Sequence, residues 1–334
     1  MPIIPPKSQC MDALYALDEI RLNFSSSNLH TLNVAIAFVM FGVALEIKFD
    51  HFKKLILNPK SAFLGVISQF LLLPFLTFLL TLALHDYLTP TMALGMILVS
   101  ACPGGNISNF ISSLAKGNIA LSVSLTAIAT IGAIFFTPLN FAFWGKLTIN
   151  FYSAVDPDML VRPLEIDAYQ MFQTVSIILG IPLISGILIN NKFPTFTAKV
   201  VKPIKQISIV LFAAIVIIAL VKNFEYFKIA IGYIFLIVLV HNALALGSGY
   251  FLGYIGRRPI IDRKTIAIET GIQNSGLALV LIFNPKIFPP ELELGGMAVI
   301  AAWWGIWHII AGLLLAGYWS KFSFGLSHTK TVTN

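Results

Sequence analysis

The sequence predicts an all-α protein that crosses a membrane many times, and three observations support this class. Hydrophobic residues make up 57% of the 334 residues and charged residues only 11%, whereas a soluble domain carries about 25% charged residues. The apolar residues are grouped in runs of about 20, the length that an α-helix needs to cross about 30 Å of hydrocarbon. The basic residues are concentrated on one side of the predicted membrane, so the net charge of +7 reflects topology and does not indicate a nucleic-acid partner.

Nine apolar runs are candidate transmembrane helices. In order, they cover about residues 29–47, 61–84, 90–114, 119–144, 169–190, 203–222, 229–256, 265–285 and 294–319. Together they form a transmembrane domain over residues 29–320, preceded by a polar segment, residues 1–28, and followed by a polar tail, residues 321–334. The acidic connection 145–168 is predicted to be a solvated loop.

The distribution of basic residues predicts the orientation. Fifteen of the 22 lysines and arginines lie on one side of the alternating loops and seven on the other. Loops rich in lysine and arginine remain in the cytoplasm. We therefore expect a multi-pass protein of the cell membrane, the inner membrane in a bacterium, with its N-terminus outside and its C-terminus in the cytoplasm.

Polar residues interrupt two of the nine spans. The third contains SACPGGNISNF at residues 100–110, and the eighth contains ETGIQNSG at residues 269–276. The two spans are five apart, so they run in opposite directions, as in two inverted five-helix repeats of which the first lacks its first helix. Interrupted helices at corresponding positions of two repeats indicate a transporter's binding site. Two discontinuous helices that cross are therefore predicted, although each break taken alone is explained by a kink or by close glycine packing.

Glu269 is a carboxylate inside an apolar span. Such a charge costs about 2.5 to 3.5 kcal/mol on insertion scales and is a functional-site hypothesis by default. Hard cations such as sodium prefer carboxylate, carbonyl and hydroxyl oxygens, and a helix break adds unpaired carbonyls. Side chains with such oxygens lie in the second, third, fourth and eighth spans: Gln69, Ser108, Asn109, Ser122, Thr126, Thr130, Gln273 and Asn274. Paired aspartates and a clustered His–Glu motif are lacking, so we expect an ion-coupled transporter and not an enzyme.

An anion would need donors other than basic side chains, because no lysine or arginine lies deep in a predicted span. Half-helix N-termini and bound cations can supply them. His241 with Asn242 and His308 are the other polar residues of the spans. We expect neutral, hydrogen-bonded core residues there, with contact to the substrate or to a proton as the alternative.

The motifs CPGGNISN, GNIALSVSLTAIAT and IETGIQNSG in combination resemble the bile acid:sodium symporter (BASS) family, and the similarity extends from FVMFGVALEIKF through SQFLLLPF to the ninth span. The resemblance implies a core domain that carries the two crossing discontinuous helices, a separate panel domain, and two sodium ions coupled to the uptake of an organic anion. The core would contain the spans of 61–144 and 229–319, and the panel 29–47, 169–190 and 203–222. Transport would proceed by alternating access, with no cofactor apart from the coupling sodium ions.

The resemblance also implies particular ligands. One sodium site would use Ser108, Asn109, Ser122, Thr126 and Glu269; the second would use Gln69, Glu269, Gln273 and the backbone carbonyls of Thr270 and Ile272. The substrate would contact Asn106, Asn274 and His308. Asn106 stands where relatives often have threonine, and Ile309 follows His308 where bacterial members often have asparagine. These departures leave the anion open among bile-acid-like, pantoate-like and keto-acid substrates.

Two other transport mechanisms remain alternatives. In a proton-coupled carrier Glu269 would be the titrating group, and uptake would depend on a pH gradient and not on sodium. In a metalloid exporter of the same superfamily Cys102 would act as a thiolate, and the substitution Cys102→Ala would abolish resistance. Protein partners are not predicted by any motif.

Overall fold

The computed structural model describes residues 59–105, 107–155, 167–222, 224–289 and 292–322, together with isolated positions between 14 and 45. These residues are mainly helical, and among them the only β-type pairing is one isolated bridge. Ten helices follow one another: α1 Pro59–Ala83, α2 Pro90–Ala101, α3 Ile107–Leu114, α4 Ile119–Val155, α5 Ala168–Lys192, α6 Pro194–Lys222, α7 Phe224–Ile255, α8 Ile260–Gly271, α9 Ser275–Ile282 and α10 Gly295–Phe322. Single π-turns interrupt α1 at Ser68–Leu72 and α5 at Ser176–Gly180.

Several of these helices can cross a membrane. In the described part of the chain, five stretches are long and apolar enough to do so, in α1, α4, α5, α7 and α10. The prediction of an all-helical, multi-pass membrane protein is therefore confirmed. The count of nine spans stays a prediction, because the span 29–47 is described only at isolated positions and residues 1–13 and 323–334 lie outside the described residues.

Both predicted breaks are present, and local sequence explains them. Cys102 ends α2 in an extended conformation, with φ −72° and ψ 159°, because the residue before a proline is disfavoured in the helical region. Ile272 is also non-helical after α8, with φ −108° and ψ 88°. Asn274 then caps α9 by accepting a hydrogen bond from Leu277 N to its side-chain oxygen at 3.0 Å. Each break therefore separates two short helices.

The two breaks pair with each other. Gly105 N donates to Ile272 O at 2.7 Å, and Asn274 N donates to Pro103 O at 2.8 Å. Gly104 lies opposite Gln273 in the antiparallel bridge that these bonds form. The broken spans α2–α3 and α8–α9 therefore cross in opposite directions, and four helix ends meet at the crossing.

A polar group at the start of α8 joins several other helix ends. Asp262, which is only 3% exposed, accepts hydrogen bonds from Ser61 Oγ at 2.6 Å and from Asn118 Nδ2 at 2.8 Å. Lys264 donates to the carbonyls of Ala115 at 3.2 Å and Trp319 at 3.4 Å. We call Ser61, Asn118, Asp262 and Lys264 the α8 clasp. It connects the start of α1, the α3–α4 turn and the end of α10.

Two helices extend beyond the predicted spans. The loop 145–168 begins later, because α4 continues to Val155 and its final turns pack on α1, where Tyr152 Oη donates to Thr81 O at 3.1 Å; residues 156–166 lie outside the described residues. The helix that contains the span 203–222 begins earlier, at Pro194, so that Pro203 lies inside α6. An internal proline removes one helical hydrogen bond without always ending the helix.

Candidate functional site

Hydroxyl groups surround the Glu269 carboxylate at the end of α8. Glu269 is 1% exposed. Ser108 Oγ donates to its Oε1 at 2.6 Å and Ser122 Oγ at 2.5 Å, while Thr126 Oγ1 lies 3.0 Å from Oε2. Ser108 comes from α3, just after the first break, and the other two hydroxyls come from one face of α4. The break and the α3–α4 turn therefore bring three distant parts of the sequence onto one carboxylate.

Two more oxygens complete this group. Asn109 Oδ1 lies 2.9 Å from Ser122 Oγ and 3.2 Å from Thr126 Oγ1. Ser112 Oγ lies 3.2 Å from Ser122 Oγ. We call the side chains of Ser108, Asn109, Ser112, Ser122, Thr126 and Glu269 the oxygen cluster. All five residues predicted from the family resemblance for one sodium site belong to it.

The oxygen cluster contains more oxygens than protons. Seven side-chain oxygens meet there, from four hydroxyls, one amide and one carboxylate. A hydroxyl carries one proton, whereas an ionised carboxylate and an amide oxygen only accept. Four protons cannot serve all the short oxygen–oxygen contacts. Excess acceptor oxygens around a negative charge are suited to a hard cation.

Sequence reasoning missed Ser112, and Thr130 is not part of the oxygen cluster. Ser112 lies four residues after Ser108, one helical turn further along α3, so helical spacing could have identified it. Thr130 lies four residues after Thr126 on α4, but its hydroxyl donates to the Thr126 carbonyl at 2.7 Å. It therefore satisfies its own helix, as threonines in membrane helices often do.

The residues predicted for the second sodium site also come together, but their amides face carbonyls. Gln69, in the π-turn of α1, donates from Nε2 to Glu269 O at 3.1 Å. Gln273 donates from Nε2 to Thr270 O at 2.8 Å. The Ile272 carbonyl accepts from Gly105 N. Backbone carbonyls and side-chain amides therefore lie together at the end of α8, and these carbonyls accept hydrogen bonds from N–H groups.

Gly104 makes this arrangement sterically possible. A Cβ atom at this position would lie 2.6 Å from Gln69 Nε2 and 3.2 Å from Glu269 Oε2. Real Cβ atoms do not approach polar atoms as closely as the first distance, so a side chain here would displace Gln69. The Pro-Gly-Gly motif thus has two functions: the proline ends α2, and the first glycine lets the backbone approach the buried amide and carboxylate.

At the end of α8 lie four consecutive carbonyls, those of residues 269–272, which we call the carbonyl row. The helix ends at Gly271, so these groups lack partners one turn further on. Each accepts from a different donor: Gln69 Nε2, Gln273 Nε2, Asn242 Nδ2 and Gly105 N, in chain order. No described residue hydrogen-bonds to the buried Oε1 of Gln273 or the buried Oδ1 of Asn242. Two amides therefore have a bonded nitrogen and a buried oxygen to which none of the described residues donates.

The predicted substrate residues are only partly placed at the crossing. Asn274 lies in the second break, where its side-chain oxygen caps α9. His308 is 3% exposed and lies on the α10 face that holds Gly305 and Gly312. A Cβ at Gly305 would be 2.7 Å from Ser275 Oγ, so this face packs against the second break. Asn106 lies outside the described residues.

His241 lies in a hydrogen-bonded position of the core. The Thr77 hydroxyl donates to Leu73 O at 2.8 Å, so its oxygen is left to accept from His241 Nε2, also at 2.8 Å. The His241 ring packs on Trp304, with 4.5 Å between ring centroids. This arrangement agrees with the expectation of a hydrogen-bonded core residue.

Comparison with known protein families decides the classification. The model of the Sodium Bile acid symporter family matches residues 33–229, more than half of the 334 residues. The chain belongs to this family. The matched region ends within α7, so it includes the Ser108 and Ser122 parts of the oxygen cluster, whereas Glu269 lies beyond it. The resemblance seen in the three sequence motifs is confirmed.

Individual relatives of the symporter family match over more of the chain. The uncharacterized sodium-dependent transporter YocS of Bacillus subtilis is 33% identical over 312 residues, 90% of this chain and 88% of YocS. The probable chloroplastic sodium/metabolite cotransporter BASS2 of Oryza sativa subsp. japonica is 31% identical over 280 residues, 81% of this chain but 63% of its own length. The ileal sodium/bile acid cotransporter of Oryctolagus cuniculus is 28% identical over 287 residues, 83% of this chain and 78% of its own. The names of these relatives share sodium but do not share a substrate.

Proposed function

We propose that this protein is a sodium-coupled symporter that takes up a small organic anion. The observation that carries the proposal is the oxygen cluster, where Glu269 is buried among oxygens that outnumber the available protons. Family membership supports it, because YocS is named a sodium-dependent transporter and the relatives from rice and rabbit are named sodium cotransporters. Sodium is the coupling ion that this chemistry favours.

The first sodium ion would bind within the oxygen cluster. Its ligands would be Ser108, Asn109, Ser122, Thr126 and Glu269, with Ser112 beside Ser122. A bound cation would neutralise the buried charge of Glu269 and would turn the hydroxyl protons away from the carboxylate. Binding would also link α3, α4 and α8, which supply these residues.

The second sodium ion would bind at the carbonyl row. Its ligands would be Gln69, Glu269, Gln273 and the carbonyls of Thr270 and Ile272. The amide nitrogens of Gln69 and Gln273 donate hydrogen bonds to carbonyls there. A cation would bind to the same carbonyl oxygens. Rotation of each amide would replace its nitrogen by its oxygen and provide the cation with a further ligand. The buried Oε1 of Gln273, which lacks a bond from any described residue, supports this exchange.

The anion would bind beside the crossing, at the opposite helix ends. α3 and α9 begin at the two breaks, and helix N-termini carry about half a positive charge from unpaired N–H groups. Asn274 and His308 would contact the substrate, and Asn106, next to the start of α3, would do the same. Sodium bound at the adjacent carbonyls would increase the local positive charge. The anion would therefore bind more tightly after sodium has bound, and this order of binding would couple anion transport to sodium transport.

Transport would proceed by alternating access, with the N-terminus outside and the C-terminus in the cytoplasm. The core spans 61–144 and 229–319 would move against the panel spans 29–47, 169–190 and 203–222, as in two inverted repeats. Two sodium ions with one monovalent anion would carry one net positive charge inward. Each elementary charge gains about 2.3 kcal/mol per 100 mV of membrane potential, so the potential would drive accumulation of the anion.

A thermal-unfolding screen across several classes of anion tests the proposal. The purified protein is heated with bile-acid-like, pantoate-like and keto-acid anions in sodium chloride and in potassium chloride. A ligand that binds only the folded state raises the midpoint of unfolding. We expect at least one anion to stabilise the protein in sodium and not in potassium. Equal stabilisation in both salts would contradict sodium coupling and would favour a proton-coupled carrier.

A further inference from the structure

One face of α7 lies along α8 up to the point where α8 ends. A Cβ at Gly249 would be 2.8 Å from Ala267 Cα, and one at Gly253 would be 3.3 Å from Arg263 Cα. A Cβ at Gly271 would collide with the Leu246 side chain. Asn242 lies one turn before Leu246 on the same face. It is therefore the residue of this face that reaches the break.

Asn242 holds the carbonyl of Gly271. Its Nδ2 donates to Gly271 O at 2.7 Å, and the side chain is fully buried. Glycine has no Cβ and adopts more backbone conformations than other residues, so a glycine at a helix end needs external restraint. This hydrogen bond supplies it at the residue where α8 stops.

The restrained carbonyl stands between two proposed sodium ligands. Thr270 O and Ile272 O are the carbonyls proposed for the second sodium ion, and Gly271 lies between them. Each peptide group is planar and rotates as a unit, so fixing the direction of Gly271 O limits the rotation of the groups on either side. Without the Asn242 bond, the Thr270 and Ile272 carbonyls would lose a common orientation.

We infer that Asn242 is a positioning residue of the second sodium site, holding Gly271 O so that the Thr270 and Ile272 carbonyls point at the ion. The inference rests on the proposed sodium coupling. The buried Oδ1 of Asn242, to which no described residue hydrogen-bonds, belongs to the same amide that holds Gly271 O. Asn242 is not assigned to either site by the family resemblance, and the adjacent His241 is engaged with Thr77.

The test compares two substitutions in α7. Asn242→Leu removes the amide but keeps the approximate size of the side chain. Ser248→Ala is the matched control, since Ser248 is also buried but its hydroxyl donates only within α7, to Ala245 O at 2.9 Å. The purified full-length variants are titrated with sodium chloride at constant total salt, with potassium chloride as the replacement, and the midpoint of thermal unfolding is recorded.

We expect Asn242→Leu to raise the sodium concentration for half-maximal stabilisation at least tenfold. The titration should also become less steep, because only the first site remains intact. Ser248→Ala should titrate like the unsubstituted protein. If Asn242→Leu also titrates like the unsubstituted protein, the positioning role is wrong. If the unsubstituted protein itself shows no response to sodium, the proposed function fails instead.

A second variant keeps the test decisive if Asn242→Leu does not fold. Asn242→Ser shortens the side chain so that it no longer reaches Gly271 O, and its hydroxyl can bond back to the carbonyl one turn earlier in α7. It should fold in potassium chloride and show the same raised half-saturation for sodium. A sodium titration of Asn242→Ser that matches Ser248→Ala would overturn the inference.

Discussion

Glu269 combines a costly burial with an unusual number of hydroxyl neighbours. The carboxylate is 1% exposed, and burying a charge without partners is strongly unfavourable. Ser108, Ser122 and Thr126 offset this cost, because a hydrogen bond to a charged group contributes about 1.5 to 3 kcal/mol. The same oxygens would bind a cation when their protons turn away. A single residue would thus link the stability of the fold to the proposed binding of sodium.

Ser122 provides a direct test at this scale. The substitution Ser122→Ala removes the hydroxyl that contacts Glu269, Asn109 and Ser112. Losing one charge-assisted contact of about 1.5 to 3 kcal/mol corresponds to a ten- to hundredfold weaker affinity. We expect the half-saturation of uptake by sodium to rise by that factor. Ser124→Ala is the control, because Ser124 is buried on the same helix but donates to Ala120 O; an equal effect of both substitutions would contradict the assignment.

The residues of the oxygen cluster other than Ser112 could be predicted, but the orientation of the amides could not. Ser108, Ser122 and Glu269 stand out because hydroxyls and a carboxylate are expensive in apolar spans. Whether Gln69 and Gln273 present nitrogen or oxygen depends on the local backbone, which the sequence does not specify. In the sequence Asn242 is only one polar residue in an apolar span, since its partner, Gly271 O, becomes available only where α8 ends.

The two helix breaks act as one element, because they are paired by backbone hydrogen bonds. The Pro103 carbonyl accepts from Asn274 N, and the Ile272 carbonyl accepts from Gly105 N. Two helix C-termini and two N-termini therefore lie close together, with carbonyls and N–H groups available for ions of opposite charge. Each break alone has one C-terminus and one N-terminus, and the pairing brings the two sets together. The crossing would explain how the proposed cation and anion sites can be neighbours and influence each other.

Substitution of the two adjacent glycines distinguishes this crossing from a simple kink. Gly104→Ala would push a methyl group to 2.6 Å from Gln69 Nε2, and overpacking of this kind costs about 1 to 3 kcal/mol. We expect a lower midpoint of thermal unfolding and loss of the sodium response. Gly105→Ala is the control, since its Cβ would lie no closer than 3.4 Å to a neighbour. Similar behaviour of the two variants would show that Gly104 has no special contact.

The positions of the breaks followed from sequence, whereas two helix lengths did not. Proline restricts the preceding residue wherever it occurs, so Cys102 and Pro103 mark an end of α2 by local chemistry. The extension of α4 to Val155 depends on tertiary contacts such as that between Tyr152 and Thr81. The start of α6 before Pro203 depends on tolerance of one missing hydrogen bond. Local sequence patterns therefore predict neither the end of α4 nor the start of α6.

At the scale of the whole molecule, the α8 clasp and the crossing lie at opposite ends of the same short helix. Ser61, Asn118 and Lys264 join α8 to α1, to the α3–α4 turn and to the end of α10. Basic residues that the sequence predicts to lie on the cytoplasmic side, including Lys116 and Lys264, are found at this end, where Lys116 donates to Ser320 O at 3.4 Å. We expect the clasp to keep the core helices together during transport.

Asp262→Ala tests whether the clasp is structural and independent of the proposed sodium sites. The substitution leaves Ser61 and Asn118 without their shared acceptor. Because each of these two bonds to a charged group contributes about 1.5 to 3 kcal/mol, we expect the free energy of unfolding to fall by about 3 to 6 kcal/mol. The sodium half-saturation of the folded protein, measured by uptake in proteoliposomes, should not change. A shift of more than about threefold in that value would link the clasp to ion binding.

Sodium binding by the purified protein tests the central claim most directly. Radioactive sodium is equilibrated with the unsubstituted protein and with Glu269→Gln, which keeps the size of the side chain but removes its charge. We expect saturable binding to the unsubstituted protein, displaced by excess sodium and not by potassium, and no saturable binding to the folded Glu269→Gln variant. Undiminished binding to Glu269→Gln, or no saturable binding to the unsubstituted protein, would contradict the assignment of Glu269 as the carboxylate that binds the coupling ions.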